Sequence, residues 1–180
     1  MHASRWEVED FISKGFCNKI IKMAESNGFE QELSAAKGAV FRKYRNNDRV
    51  TFNDSTLARQ LWEKMKDDPH LKNPGWQPIG LNERFRVYRY SGPEQYFASH
   101  FDGSYERIPF VERSYVTLLI YLNEDFDGGE TSFIDGETKP KTGLASLMTQ
   151  GNYLHESREV TNGTKYVLRT DVMYRRTKSE

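Results

Sequence analysis

His100-Phe101-Asp102, followed by His155 and then Lys165, is the stretch on which the fold and chemistry of this chain turn. Strand side chains alternate with period two, so one residue between His100 and Asp102 places both on one face. His155, 53 positions beyond Asp102, arrives from a distant strand and can complete three ligands on one side of an Fe(II) ion. Two neutral imidazoles and one carboxylate cancel only one of the ion's two charges and leave its opposite face open. Lys165, ten positions after His155, supplies a fixed cation for a co-substrate carboxylate. A His-x-Asp triplet alone is common. All four residues in this order, inside a strand-rich segment, are specific.

Working outward, the chain reads as strands from Arg84 onward: Arg84–Tyr90, Tyr115–Leu122, Glu130–Ile134, Gly143–Thr149 and Lys165–Tyr174. Asp127-Gly128-Gly129 and Asn162-Gly163 read as hairpin turns. Tyr115–Leu122 is nearly continuous in apolar content, which suits a strand covered on both faces. Before Arg84 the period is helical. Phe16, Ile20, Ile21, Met23 and Ala24 predict a helix ended by Gly28; Leu57, Leu61, Trp62 and Met65 predict a second, capped within Asn53-Asp54-Ser55. The segment from Pro69 to Pro78 carries three prolines and reads as a loop. These patterns predict one α+β domain over residues 1–180, with a helical part over about 1–80 and a strand core over about 81–176.

Composition narrows the function classes. Lysine plus arginine and aspartate plus glutamate stand at 26 each, so no global charge draws the chain to nucleic acid or an acidic membrane. One cysteine, Cys17, excludes an internal disulfide, suits a reducing compartment and reads as a small buried hydrophobe. No apolar run approaches the roughly 18 residues of a membrane span, and MHASRWEVEDF lacks a signal-peptide core. The expectation is a soluble, cytoplasmic protein of open oligomeric state. His70, in a polar loop, and the terminal His2 are not ligand candidates.

RVYRYSGPEQYFASHFD (86–102), VTLLIYLNEDFDGGETSF (116–133) and GLASLMTQGNYLHESREVTNGTKY (143–166) together resemble the Fe(II)/2-oxoglutarate-dependent dioxygenases, within them the prolyl 4-hydroxylase-like catalytic domain. VEDFISKGFCNKIIKMAESNGF (8–29) resembles the helix that opens such domains. The resemblance implies a double-stranded β-helix (jelly roll) with the N-terminal helices packed on one sheet. It implies that His100, Asp102 and His155 ligate Fe(II), with 2-oxoglutarate and O2 as co-substrates and ascorbate as a supporting reductant. Lys165 matches the lysine that holds the distal carboxylate of 2-oxoglutarate, Tyr121 a tyrosine touching that carboxylate, and Tyr90 a tyrosine near the 2-oxo-acid end. Two departures stand out. His155 is followed by Glu-Ser-Arg-Glu-Val where many relatives have a glycine and a proline, and the last strand continues as KYVLRTDVMY.

On a strand beginning at Lys165, positions 165, 167, 169 and 171 share a face, so Val167, Arg169 and Asp171 would line the same interior. Arg169 and Asp171 then either pair with each other or neighbouring loops, or Arg169 is the co-substrate clamp, as in some subfamilies. Spacing favours Lys165. Tyr88, Tyr90 and Tyr96 admit both ordinary strand packing and co-substrate contact. The basic run Phe41–Arg49 is either a solvated loop or a place from which Arg45 and Arg49 reach the substrate. The leading expectation is an oxygenase acting on a peptidyl proline. Alternatives are a hydroxylase of a free amino acid or other small molecule, a nucleic-acid demethylase, and a degenerate jelly-roll binding module. The binding module requires a lost ligand, and none is lost. Halogenation is disfavoured because Asp102 occupies the place chloride would need.

Overall fold

A computed structural model describes residues 4–31, 45–93 and 95–177. In chain order the elements are β1 (Arg5–Val8), α1 (Lys14–Asn27), β2 (Glu30–Gln31), β3 (Asp48–Asn53), α2 (Ser55–Trp62), β4 (Trp76–Leu81), β5 (Arg84–Ser91) and β6 (Gln95–His100). There follow β7 (Glu106–Ile108), β8 (Glu112–Tyr121), β9 (Phe126–Gly128), β10 (Thr131–Phe133), β11 (Gly136–Thr138), β12 (Ala145–Thr149) and β13 (His155–Arg176). Both helices begin at side-chain caps: Ser13 accepts from the Phe16 amide, and Asp54 accepts from the Leu57 amide. Gly28, at φ 77°, ends α1. No helix among the described residues is long and apolar enough to cross a membrane.

The strands form a double-stranded β-helix. One sheet runs β1-β12-β8-β13-β5-β3-β2, antiparallel at every pairing. The facing sheet is built from β6, β9, β10 and β11 around the first half of β13. β13 is 22 residues long and belongs to both: 155–163 pairs in the facing sheet, 164–176 in the first. Strand alternation then divides the interior. Val116, Leu118 and Ile120 of β8 pack with Phe85, Val87 and Leu168 against Cys17, Ile20 and Ala24 of α1 and Leu57, Ala58 and Leu61 of α2. Leu119 and Tyr121 point the other way, with Tyr88, Tyr90 and Val167, into the space between the sheets. That double coverage explains why β8 reads as an unbroken apolar run.

Several local expectations change in three dimensions. Asn162-Gly163 does not turn a hairpin; it sits at an irregularity within β13, where the strand passes from one sheet to the other. Gly163 has φ 80°, and a Cβ there would lie 3.0 Å from the Asp125 carbonyl oxygen, so the bend needs glycine. Nor do Asp127-Gly128-Gly129 make a hairpin: β9 and β10 both pair with β13, as one interrupted strand. The real hairpin turns at Ile134-Asp135, between β10 and β11. The supposed loop Pro69–Pro78 ends in β4, and Pro78 is tolerated because it lies opposite Tyr174 at a register shift. The part expected to be helical, over about 1–80, also contributes β1 to β4. Phe41 to Tyr44 of the basic run lie outside the described residues, whereas Arg49 lies in β3.

Among the described glycines, Gly143 meets the tightest contact. It has φ 85°, and a Cβ would fall 2.1 Å from the Ile12 carbonyl oxygen, backbone that cannot move aside. Gly143→Ala is therefore expected to destabilise the fold by at least about 2 kcal/mol, combining left-handed strain with overpacking. In thermal unfolding that is a fall of roughly 5 °C or more; an unchanged midpoint would contradict the contact.

Candidate metal and co-substrate site

Three donors converge where β6 ends and β13 begins. His100 is the last residue of β6 and pairs directly with His155, the first of β13. Asp102 is not on the strand with His100, as the spacing suggested; it lies two residues on, past the end of β6. Alternation nevertheless persists: His100 and Asp102 are buried, and Phe101 between them is 54% exposed. Asp102 Oδ1 is 3.7 Å from His100 Nε2, and Asp102 Oδ2 is 3.7 Å from His155 Nε2. One ligand atom from each residue lies within 4.8 Å of the other two, close enough for one ion to touch all three.

The hydrogen bonds fit a metal. His100 Nδ1 lies 2.8 Å from the Ala98 carbonyl and His155 Nδ1 3.1 Å from that of Tyr153. A carbonyl only accepts, so each Nδ1 carries the proton and each Nε2 keeps its lone pair toward the common point. Burial holds the His155 imidazole in its neutral, ligating form more firmly than usual. Phe97 stacks on the His100 ring, with centroids 3.7 Å apart. Burial alone would raise the Asp102 carboxyl, but Arg169, both histidines and Thr117 overcome it and hold the group far below the usual carboxylate range. Arg169 Nη2 is 3.0 Å from Asp102 Oδ1, and Thr117 Oγ1 donates to Oδ2 at 2.7 Å. These residues suit Fe(II): two neutral nitrogens and one fixed anion.

The donors open into a cavity between the sheets, walled by Tyr88, Phe97, Leu119 and Val167. Lys165 closes its far end. Lys165, Val167 and Arg169 alternate on β13 and all line the cavity; Asp171 continues the same face and is buried. Lys165 Nζ donates to the Gly129 carbonyl at 2.6 Å and to Ser157 Oγ at 2.9 Å, leaving one of its three donors for a ligand. It sits 5.0 Å from the Tyr90 ring centroid and 5.6 Å from that of Tyr121. Tyr90 lines the cavity, but Tyr121 stands behind it and donates to Thr131 Oγ1 at 2.6 Å; Thr131 does the lining. Arg169 is drawn to the metal end by Asp102, with Asp171 at 3.5 Å.

Ser157, Thr131 and Thr117 were not singled out from the sequence, though each left a signal. Ser157 follows His155 by two, so a strand from His155 aims both one way. Thr117 is the one aliphatic hydroxyl in the buried run Val116–Leu122. Burial lowers the Lys165 ammonium to about 7, with Glu130 opposing only weakly. Between pH 7 and 10.5 the unfolded chain therefore holds a proton that the folded chain has lost, and stability rises with pH across that window. Below it, both states are protonated and the burial cost is fully present. Wild-type denaturant midpoints are expected to climb from pH 7 to 9 relative to Lys165→Met; parallel curves would contradict the shift.

Comparison with known proteins agrees with this geometry. The family model of the 2OG-Fe(II) oxygenase superfamily matches residues 85–170. A protein of Acanthamoeba polyphaga mimivirus named putative prolyl 4-hydroxylase is 26% identical over 179 residues, spanning 89% of this chain and 70% of its own. The fold is shared with a viral collagen prolyl hydroxylase from Paramecium Bursaria Chlorella virus-1, solved with 2OG, at TM-score 0.65, 20% identity and coverage of 95% and 96%. It is shared likewise with a Pseudomonas putida prolyl-4-hydroxylase, at TM-score 0.66, 15% identity and coverage of 98% and 95%. The family match begins one residue into β5 and ends just past Arg169, enclosing every residue that lines the cavity, and over that stretch the chain is similar to the 2OG-Fe(II) oxygenase superfamily.

Proposed function

We propose that this oxygenase hydroxylates a proline held in a peptide. The observation that carries the reading is the 26% identity, across most of the chain, to a protein named putative prolyl 4-hydroxylase. Two features of the surface support it. Phe101 and Leu154, at 54% and 37% exposure, flank the donors His100, Asp102 and His155 and offer apolar contact at the cavity entrance. Tyr105, Ile108, Phe110 and Val111, on and around β7, expose further apolar area suited to an extended chain.

In this reading His100, Asp102 and His155 hold the iron, while Arg169 and Thr117 keep the Asp102 carboxylate ionised and aimed. Lys165 takes the distal carboxylate of 2-oxoglutarate, with Tyr90, Thr131 and Ser157 bordering the same end and Tyr121 fixing Thr131 from behind. Phe97, Leu119 and Val167 exclude water along the walls. Bound Fe(II), 2-oxoglutarate and O2 supply an oxidant able to break an unactivated C–H bond, releasing succinate and CO2. Cys17, buried and with its thiol pushed up to about 11 by burial, is unreactive and compatible with a reducing cytoplasm.

The test is mass spectrometry of proline-containing peptides incubated with enzyme, Fe(II), 2-oxoglutarate and ascorbate. Gain of one oxygen on proline, with matching succinate, is the expected result. Vigorous turnover of a free amino acid or a methylated oligonucleotide, with no oxidised peptide, would overturn the substrate and leave the oxygenase standing.

A further inference from the structure

Guanidinium groups crowd the interior face beside Tyr88. Arg86 precedes Tyr88 by two on β5 and so shares its face; it also lies directly opposite Arg169 in the β5–β13 register. Arg49 lies opposite Tyr88 in the β3–β5 register, and opposed residues point the same way. Arg45 places its Cζ 5.7 Å from the Tyr88 centroid and 4.8 Å from that of Phe97, the ring that stacks on His100. Among the described residues, two carboxylates face Arg86 and Arg169. Asp102 belongs to the metal donors. Asp171 serves Arg169 at 3.5 Å, Arg86 at 4.0 Å and the Gln150 amide at 2.8 Å. Arg86 Nη1 and Arg169 Nε are buried with no hydrogen-bond partner among the described residues. Burial, and then the like charge of Arg169, loosen the Arg86 proton, which is the mark of positive charges held together without enough anion.

We propose that the substrate carries a carboxylate close to the carbon that is oxidised, and that Arg86 receives it, with Arg49 and Arg45 adding to the positive field. The inference rests on the oxygenase reading above and narrows its substrate. A guanidinium fork matches a carboxylate in two parallel hydrogen bonds and remains charged when buried. Asp171 Oδ2 faces Arg86 Nη1 at 4.0 Å, beyond hydrogen-bond reach, so that donor is still to be satisfied. An isolated carboxylate fits better than a polyphosphate strand, because the chain as a whole carries no net charge and Glu156, Glu159 and Glu130 lie along the facing sheet's side of the fold. The carboxylate has two sources: an acidic side chain beside the proline, or the free α-carboxylate of a terminal or single amino acid.

The experiment measures equilibrium binding to the enzyme loaded with Mn(II) and 2-oxoglutarate, alongside oxidation by the Fe(II) enzyme. Ligands are matched proline peptides with a neighbouring Glu or Gln, each ending in a carboxylate or an amide, and free proline. The anionic member of a pair is expected to bind about tenfold tighter or more, the yield of one charge-assisted hydrogen bond. The arm in which the gap opens identifies the source. Arg86→Gln is expected to reduce the gap to about twofold with unchanged affinity for 2-oxoglutarate, and Arg86→Lys to retain part of it. In the wild type, the gap should shrink as salt rises. Equal binding of neutral and anionic peptides, a gap that survives Arg86→Gln, or an oligonucleotide bound more tightly than every peptide would overturn the inference. Equal oxidation of acidic and neutral proline peptides would remove it while prolyl hydroxylation stood; capture of acidic peptides without any proline oxidation would do the reverse.

Discussion

Replacing Asp102 by alanine is expected to abolish turnover and to weaken metal binding by well over the roughly hundredfold that loss of a supporting residue costs such sites. The carboxylate is the anion among the three donors, and its two oxygens stand 3.7 Å from the two ligating nitrogens. Without it, two neutral imidazoles face a divalent ion beside the Arg169 guanidinium, which then repels the metal it had helped to place. The fold itself should persist, because the helix-backed core contains none of the donors. Arg169 also keeps Asp171 as a partner at 3.5 Å. Asp102→Asn separates charge from shape: it preserves the volume and can still accept from Thr117, yet it should bind metal far more weakly than wild type. Circular dichroism, metal titration and succinate release check the three parts. Turnover near the wild-type rate in Asp102→Ala would reject the iron site.

The second large effect is expected at Lys165. Lys165→Met fills the same volume without the ammonium, and the apparent KM for 2-oxoglutarate should rise at least about a hundredfold. A buried charge deprived of its partner costs on the order of 3–5 kcal/mol, and each 1.4 kcal/mol is tenfold in affinity. Because the free ammonium sits near pH 7, the dianion must bind together with a proton above that pH. Calorimetry at pH 8 in buffers of different ionisation enthalpy should therefore show proton uptake in wild type and none in Lys165→Met. Arg169 provides the contrast. Its 3.0 Å contact with Asp102 predicts that Arg169→Gln disturbs metal affinity first. A large loss of 2-oxoglutarate affinity there, with little at Lys165, would reverse the assignment of the clamp.

The residues that converge on the site were legible one by one. His100, Asp102, His155 and Lys165 are polar or ionisable groups set in strand-forming sequence, and burying such groups is costly enough that few arrangements other than a ligand site keep them there. Both helices were legible too, since their apolar spacing and side-chain caps are local properties. The alternation from Lys165 through Arg169 to Asp171 needed only the period of a strand.

What the sequence could not settle is what each face meets. Asn162-Gly163 has the composition of a hairpin turn, yet β13 continues through it, because strands on both sheets hydrogen-bond the flanking residues and outweigh the local preference. β1, β3 and β4 lack a strong pattern of their own and become strands by pairing with β12, β5 and β13. That Arg169 meets the Asp102 carboxylate, 67 positions away in the chain, came only with the tertiary structure. Tyr121 was placed beside the ligand by resemblance, and the packing of β8 sets it one layer back, behind Thr131. Residue type and local period determined the helices, the inner strands and the chemistry at hand. Long-range strand pairing alone decided which of those residues touch, since contact across a sheet depends on register and leaves no trace in local composition.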